Sequence, residues 1–285
     1  MTSDGSEDIS HPISNCDGGD SNPQTIGNEE NKVIVALRLH QQNSHLLPEI
    51  PHLLTLMHSC LAYASRVLLC IDTEPSYTQA LTLALQNERF ITLLPVQPWG
   101  RFTQALNAAV EFASQHSYRL IIFQSLEITV HPERMHPLLS LFDREEELCL
   151  VGPELEGHAF QEGSNVLRGR TCPWNTLAIW RVAFLSLIGF PLIGNGSGEV
   201  EGGVEEVSAV AILLTIKPAC KVYLARWSLH GEGNEGVIWD TQGFQGDEER
   251  RRYHEKKMRS KDERPARHLH MLGLKKEINV SHICV

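Results

Sequence analysis

From Lys32 to Val130 the chain alternates short β-branched apolar runs with segments of helical periodicity, and few architectures accept that order. Lys32-Val-Ile-Val-Ala-Leu-Arg-Leu39 is almost uniformly apolar, which suits a central strand covered on both faces. The polar loop His40 to His45 leads to a helical pattern over Leu53 to Ala64. Arg66-Val-Leu-Leu-Cys-Ile71 is then a second strand, closed by the acidic turn Asp72-Thr-Glu-Pro-Ser76. Ser76 to Gln86 predicts a helix and Phe90 to Leu94 a third strand. Gly100 to Ala113 carries apolar residues at 102, 105, 106, 109, 110 and 113, an amphipathic helical spacing that runs into a fourth strand at Leu120. The alternation predicts an α/β fold with a mostly parallel central sheet flanked by helices.

The fourth strand ends abruptly. Tyr118-Arg-Leu-Ile-Ile-Phe-Gln-Ser-Leu-Glu-Ile-Thr-Val-His-Pro132 passes from a buried apolar run to polar Ser125 and Glu127 just before a proline. Open α/β sheets bind ligands beyond the carboxyl ends of their strands, so polar residues at that point are candidates for a site.

Beyond Val130 the pattern is less regular. His131 to Phe142 predicts a helix with a proline near its start, and Leu148 to Gly152 a strand. Thr171 to Arg181 reads as a short aromatic-rich strand leading into the helix Val182 to Ile188. Val204 to Ile216 predicts a helix whose opening Glu205-Glu206 pair suits its positive end, and Lys221 to Ala225 a last strand. One domain is therefore expected over 32–245, between two tails of different composition.

Residues 1–31 hold acidic, Ser, Gly and Asn residues with no Lys or Arg, a composition that buries too little apolar surface to offset its ordering entropy. That segment is expected to be disordered. It also lacks the basic start and apolar run of a signal peptide. Residues 246–285 form a charged segment, with eleven Lys or Arg and seven Asp or Glu between Asp247 and Glu277. A solvated helix laced with i,i+4 pairs is expected there, with partner docking as the other reading.

The net charge of -10 argues against nucleic-acid binding by charge, and no apolar run approaches the length of a membrane helix. The seven cysteines are scattered with no C-x-x-C pair, as in proteins of a reducing compartment, and a cytoplasmic location is expected. Gly194-Asn-Gly-Ser-Gly198 lacks the Lys-Ser/Thr of a phosphate loop and no strand directly precedes it, so a loop ahead of the Glu205-Glu206 helix is the better reading.

Taken in order, Gly100 to Ala113 with Asn107, the strand ending Ser125-Leu-Glu127 and the proline at 132 resemble the family 2 inverting glycosyltransferases of GT-A fold. In that family a G-x-x-x-A-x-N helix leads into a strand ending in D-x-D; here Ser125 and Glu127 stand at the two acidic positions, a degenerate form. The resemblance extends from about Lys32 to Gly231. Asp72 matches an acidic residue that contacts the donor nucleoside. Trp174-Asn175 through Arg181 to Gly189 is similar to the acceptor-side segment, and Glu205-Glu206 to the E-D helix start whose second acid is the catalytic base. His230 resembles a histidine that contacts metal or diphosphate.

The resemblance implies a nucleotide-diphospho-sugar donor, an unidentified acceptor, and Mg²⁺ or Mn²⁺ to stabilise the leaving diphosphate. It assigns Glu206 as the base, and Asp72, Asn107 and Ser125 to donor binding. Glu127 and His230 fall to the metal, and Trp174, Asn175, Arg181 and Glu205 to the acceptor side. Each residue also has a plainer reading. Asp72 would cap the following helix, Glu127 would be a solvated strand-end acid, Glu205 and Glu206 would stabilise a helix terminus, Trp174 would be core, and Asn107 would bond backbone. Two functions follow: an inverting glycosyltransferase, or an inactive GT-A-like protein that binds a nucleotide-sugar or serves as a scaffold.

Overall fold

Successive side chains of β1 (Val33–Gln41) point to opposite faces of one sheet, and both faces are covered. The computed structural model describes residues 32–41, 47–227, 237–239, 252, 260–274 and 277–285. The acidic segment 1–31 and His230 lie outside them.

The predicted alternation is present. After β1 come α1 (Ile50–Cys60), β2 (Arg66–Thr73), α2 (Pro75–Ala84), β3 (Ile91–Pro95), α3 (Thr103–Gln115) and β4 (Leu120–Gln124). The short β5 (Ile128–Val130), α4 (Pro132–Arg144), β6 (Leu148–Pro153), β7 (Gly163–Val166), β8 (Leu177–Arg181) and α5 (Val182–Leu185) follow. A 3-10 turn (Leu192–Asn195) and the hairpin β9 (Gly196–Ser197) and β10 (Val200–Glu201) lead to α6 (Glu205–Ile216) and β11 (Lys221–Arg226). The chain ends with β12 (Val237–Trp239), α7 (Glu263–Met271) and β13 (Asn279–Cys284). Among the described residues no helix is long and apolar enough to cross a membrane.

Nine strands form the main sheet in the order β3-β2-β1-β4-β8-β6-β11-β13-β7. The pairs β3/β2, β2/β1, β1/β4, β6/β11 and β11/β13 are parallel. Strand β8 runs antiparallel to both β4 and β6, and β7 antiparallel to β13. One face packs Val33, Val35 and Leu37 against Met57, Leu81, Met135 and Phe142. The other packs Ile34, Ala36, Leu68 and Cys70 against Ala105, Leu106 and Ala109 of α3 and Val207 and Val210 of α6. Burial on both faces is the physical reason that β1 and β2 read as continuous apolar runs.

Within the charged segment 246–285, Glu263–Met271 is helical as expected, but Asn279–Cys284 is a strand of the main sheet. Its sequence explains the difference: Val280 and His282 alternate with more accessible neighbours and point inward. His282 is pinned there, its Nδ1 accepting from the Gln161 N–H at 3.0 Å and its Nε2–H donating to the Thr171 carbonyl at 3.0 Å.

His158 is held the same way. The Leu155 N–H donates to Nδ1 at 2.8 Å, Nε2–H donates to the Cys172 carbonyl at 3.1 Å, and the ring stacks on Trp174 at 3.7 Å between centroids. A ring accepting at one nitrogen and donating at the other is the neutral tautomer. Burial pushes the His158 imidazole down to about 3, and burial lowers His282 as well. The unfolded chain therefore binds protons that the folded chain does not, so this stability is fully present above about pH 6.5 and is lost as pH falls toward the folded value. Urea midpoints are expected to fall between pH 7.5 and 5.0, and His158→Gln is expected to show a shallower fall; equal slopes in the two proteins would contradict the assignment.

Candidate functional site

The carboxyl ends of β1 and β2 lie side by side, with His40 in register with Asp72. His40 Nδ1 stands 3.3 Å from Asp72 Oδ2, and the His40 ring stacks on Trp99, centroids 4.9 Å apart and planes 10° from parallel. Trp99 is buried, so this stack forms a firm wall beside the Asp72 carboxylate.

Across β1 lies β4. Ala36 pairs with Phe123, and extending that parallel register by two residues sets Arg38 level with Ser125. By alternation Arg38 shares the face of Ile34 and Ala36, toward α3 and α6. Its nearest acid is Glu205, with Nη1 to Oε1 at 4.0 Å, beyond hydrogen-bonding distance. Among the described residues its guanidinium makes no hydrogen bond.

Glu205 opens α6 and is buried. Its orientation comes from the core. The Trp180 Nε1–H donates to Asn175 Oδ1 at 3.0 Å, which turns the Asn175 amide nitrogen to within 3.4 Å of Glu205 Oε1. Gly194 allows the 3-10 turn to approach this helix end, since a Cβ there would lie 2.7 Å from Glu205 Cβ. Asn195, next in the turn, accepts the Phe102 and Thr103 N–H groups at 2.8 and 3.0 Å and so caps α3 from outside. The edge thus gathers Arg38, His40, Asp72, Asn175 and Glu205 from four segments distant in sequence.

The other predicted residues are placed differently. The Ser125 hydroxyl donates to a Glu127 carboxylate oxygen, and the Ser125 N–H donates to the Thr176 carbonyl at 2.8 Å, so the triplet forms a self-bonded turn beside the start of β8. Asn107 has both ends of its amide on Phe190: Nδ2 donates to the Phe190 carbonyl at 2.9 Å, and Oδ1 accepts the Phe190 N–H at 2.6 Å. Trp174 is core, its Nε1–H donating to the Gly169 carbonyl at 2.5 Å and its ring lying between His158 and the Lys261 ammonium. Glu206 is buried near Cys172, where its charge adds to burial in pushing that thiol up.

Arg181 stands apart from the Ser125 end of β4. Because β8 is antiparallel to β4, Leu177 stands beside Gln124 and Arg181 beside Leu120, so four residues at about 3.4 Å each separate Arg181 from the Ser125 end. Its guanidinium instead ties the opposite edge together, donating to the Leu148, Phe142 and Glu145 carbonyls at 2.9, 3.0 and 2.9 Å.

Among the described residues no group of three or more His, Cys, Asp or Glu is gathered to hold a metal ion. Glu127 stands as a single carboxylate already accepting a hydroxyl, so the described residues do not by themselves fit a divalent cation. Two cavities open elsewhere. One of about 560 Å³ lies beside Leu214, Cys220, Leu274 and Ile278, and one of about 410 Å³ at the far sheet edge beside Ser65, Arg119, His136 and Asp143. In the second, Arg119 is already paired with Asp143 at 2.6 Å.

Sequence reasoning passed over Arg38, His40 and Trp99. A signal was present, since Arg38 and His40 interrupt an apolar strand two residues apart at its carboxyl end and so share a face.

No protein-family model and no curated protein matches the chain. Among solved structures it is similar to the mannosyltransferase PcManGT from Pyrobaculum calidifontis in complex with GDP-Man and Mn2+, at 15% identity and a TM-score of 0.48, over 67% of this chain and 53% of that one. It is also similar to GalNAc-T7 with UDP, GalNAc and Mn2+, at 10% identity and a TM-score of 0.45, over 59% and 39% of the two chains. For S. aureus TarS 1-349 the values are 14% and 0.42, over 61% and 53%. In each case the matched region spans about half of the other chain or less.

Replacing Asn107 by Ala removes both bonds to Phe190 and strands the buried turn that follows α5. A loss of about 1–3 kcal/mol is expected in urea unfolding. A change within a few tenths of a kcal/mol would show that Asn107 does not hold this turn.

Proposed function

We propose that the edge formed by Arg38, His40, Asp72 and Glu205 binds a nucleotide-diphospho-sugar, in a fold of GT-A type, and that the chain transfers the sugar to an acceptor hydroxyl with inversion. The observation that carries this reading is the Trp180–Asn175–Glu205 chain, which aims a buried carboxylate at the carboxyl edge of a parallel sheet, opposite a guanidinium. Ligands of open α/β sheets sit at that edge.

The roles follow from chemistry and position. Asp72 accepts hydrogen bonds from the nucleoside, with the His40–Trp99 stack as the adjoining wall. Glu205 is taken as the base of the acidic pair, because it stands opposite Arg38 and beside the Asn175 amide. The acceptor oxygen attacks the anomeric carbon on the face opposite the diphosphate. Its proton passes to Glu205, and the electrons of the breaking carbon–oxygen bond leave on the diphosphate. Bond formation on the far face inverts the anomeric centre.

One observation favours the second reading, an inactive nucleotide-sugar binder. Ser125 and Glu127 are bonded to each other rather than presented to a ligand.

A screen of UDP- and GDP-sugars by thermal shift, followed by assay of nucleotide-diphosphate release, separates the two readings. The transferase reading expects release, and expects Glu205→Gln to lower turnover by about a hundredfold or more while ligand-induced stabilisation persists. Stabilisation with no turnover across an acceptor panel identifies the binder. Absence of stabilisation by any nucleotide overturns both.

A further inference from the structure

We infer that Arg38 supplies the positive charge for the ligand's diphosphate, so that nucleotide-diphosphate binding at this edge does not depend on a divalent cation. The inference rests on the nucleotide reading above and goes beyond it in naming what neutralises the phosphates.

Three observations carry it. The first is an incomplete set of bonds. Arg38 has five N–H donors and, among the described residues, no acceptor within hydrogen-bonding distance, while Glu205 at 4.0 Å balances part of its charge without satisfying its hydrogens. Its side chain is 25% exposed. It is therefore sheltered enough for a charge-assisted bond to be strong and open enough for a ligand to reach.

The second is support. Arg38 pairs in register with Cys70 of β2, a buried thiol pushed up to about 12 chiefly by burial and drawn back by the Arg38 charge. The Cys70 Sγ is itself 3.6 Å from the Ala105 carbonyl of α3. The strand that carries Arg38 is therefore firmly placed, and the planar fork of a guanidinium matches two phosphate oxygens.

The third is exclusion. Arg38 lies two residues beyond Ala36, which pairs with Phe123, and Ser125 lies two residues beyond Phe123, so both lie just past the paired ends of β1 and β4. A guanidinium and a divalent cation held close together repel each other, and the only carboxylate of the triplet already accepts the Ser125 hydroxyl. The fixed charge takes the place of the mobile one.

Isothermal titration of the full chain with UDP and with GDP, in excess EDTA and again in millimolar Mn²⁺, tests this. Affinity for at least one of the two is expected to agree within about threefold between the conditions. Arg38→Gln is expected to weaken binding in EDTA by about tenfold or more, the loss that follows from removing a charge-assisted bond, with Arg38→Lys between it and the unchanged protein. Circular dichroism melting of each variant shows that the fold is kept. Binding in Mn²⁺ that vanishes in EDTA overturns the inference and leaves the nucleotide reading standing, as does a folded Arg38→Gln protein of unchanged affinity. Failure of both nucleotides to bind in either condition overturns the nucleotide reading itself.

Discussion

Strand β8 runs against both of its neighbours, and the layout of the candidate site depends on that reversal. A parallel strand in this place would carry Arg181 to the carboxyl end of β4 and Asn175 to the other end. The antiparallel strand does the opposite. It leaves Asn175 at the carboxyl end of β4, with Trp180 buried behind it to fix its amide, and it sends Arg181 to collect three backbone carbonyls at the other end. The carboxylate of Glu205 is oriented because the strand beneath it is reversed.

The parallel part of the fold was legible from residue type alone, since a strand buried on both faces has an apolar run, as residues 33–37 of β1, 67–71 of β2 and 120–123 of β4 show. Direction was not legible. The run Leu177-Ala-Ile-Trp-Arg181 has the composition of a buried strand whichever way it lies, and only its partners decide. Strand β13 was hidden for another reason: its six residues follow a long charged stretch whose average composition reads as solvated helix. Four of them, Ser281 to Cys284, pair with β11 and overrule that average.

The site divides in the same manner. Asp72 was legible because a lone acid closing an apolar run is conspicuous. Glu205 and Glu206 were legible as a pair but not as individuals, because adjacent helical residues point about 100° apart and only packing shows which one faces the edge. Here Glu205 stands 4.0 Å from Arg38 and 3.4 Å from the Asn175 amide, while the Glu206 charge acts on the Cys172 thiol. Asn107 bonds the Phe190 backbone through both ends of its amide, which is the plainer of its two sequence readings.

These particulars place two kinds of polar group in one chain. Those that hold the fold, His158, His282, Asn107 and Arg181, have their hydrogen bonds made. The Arg38 guanidinium, at the carboxyl edge, makes none among the described residues, and that difference carries the functional reading. Hydrogen exchange followed by mass spectrometry, with and without saturating UDP or GDP, locates the ligand directly. Protection is predicted at the ends of β1 and β2 and in the segment 174–177, with residues 118–121 and 181–185 unchanged. Protection confined to the far edge, around Arg119, His136 and Asp143, would contradict the account.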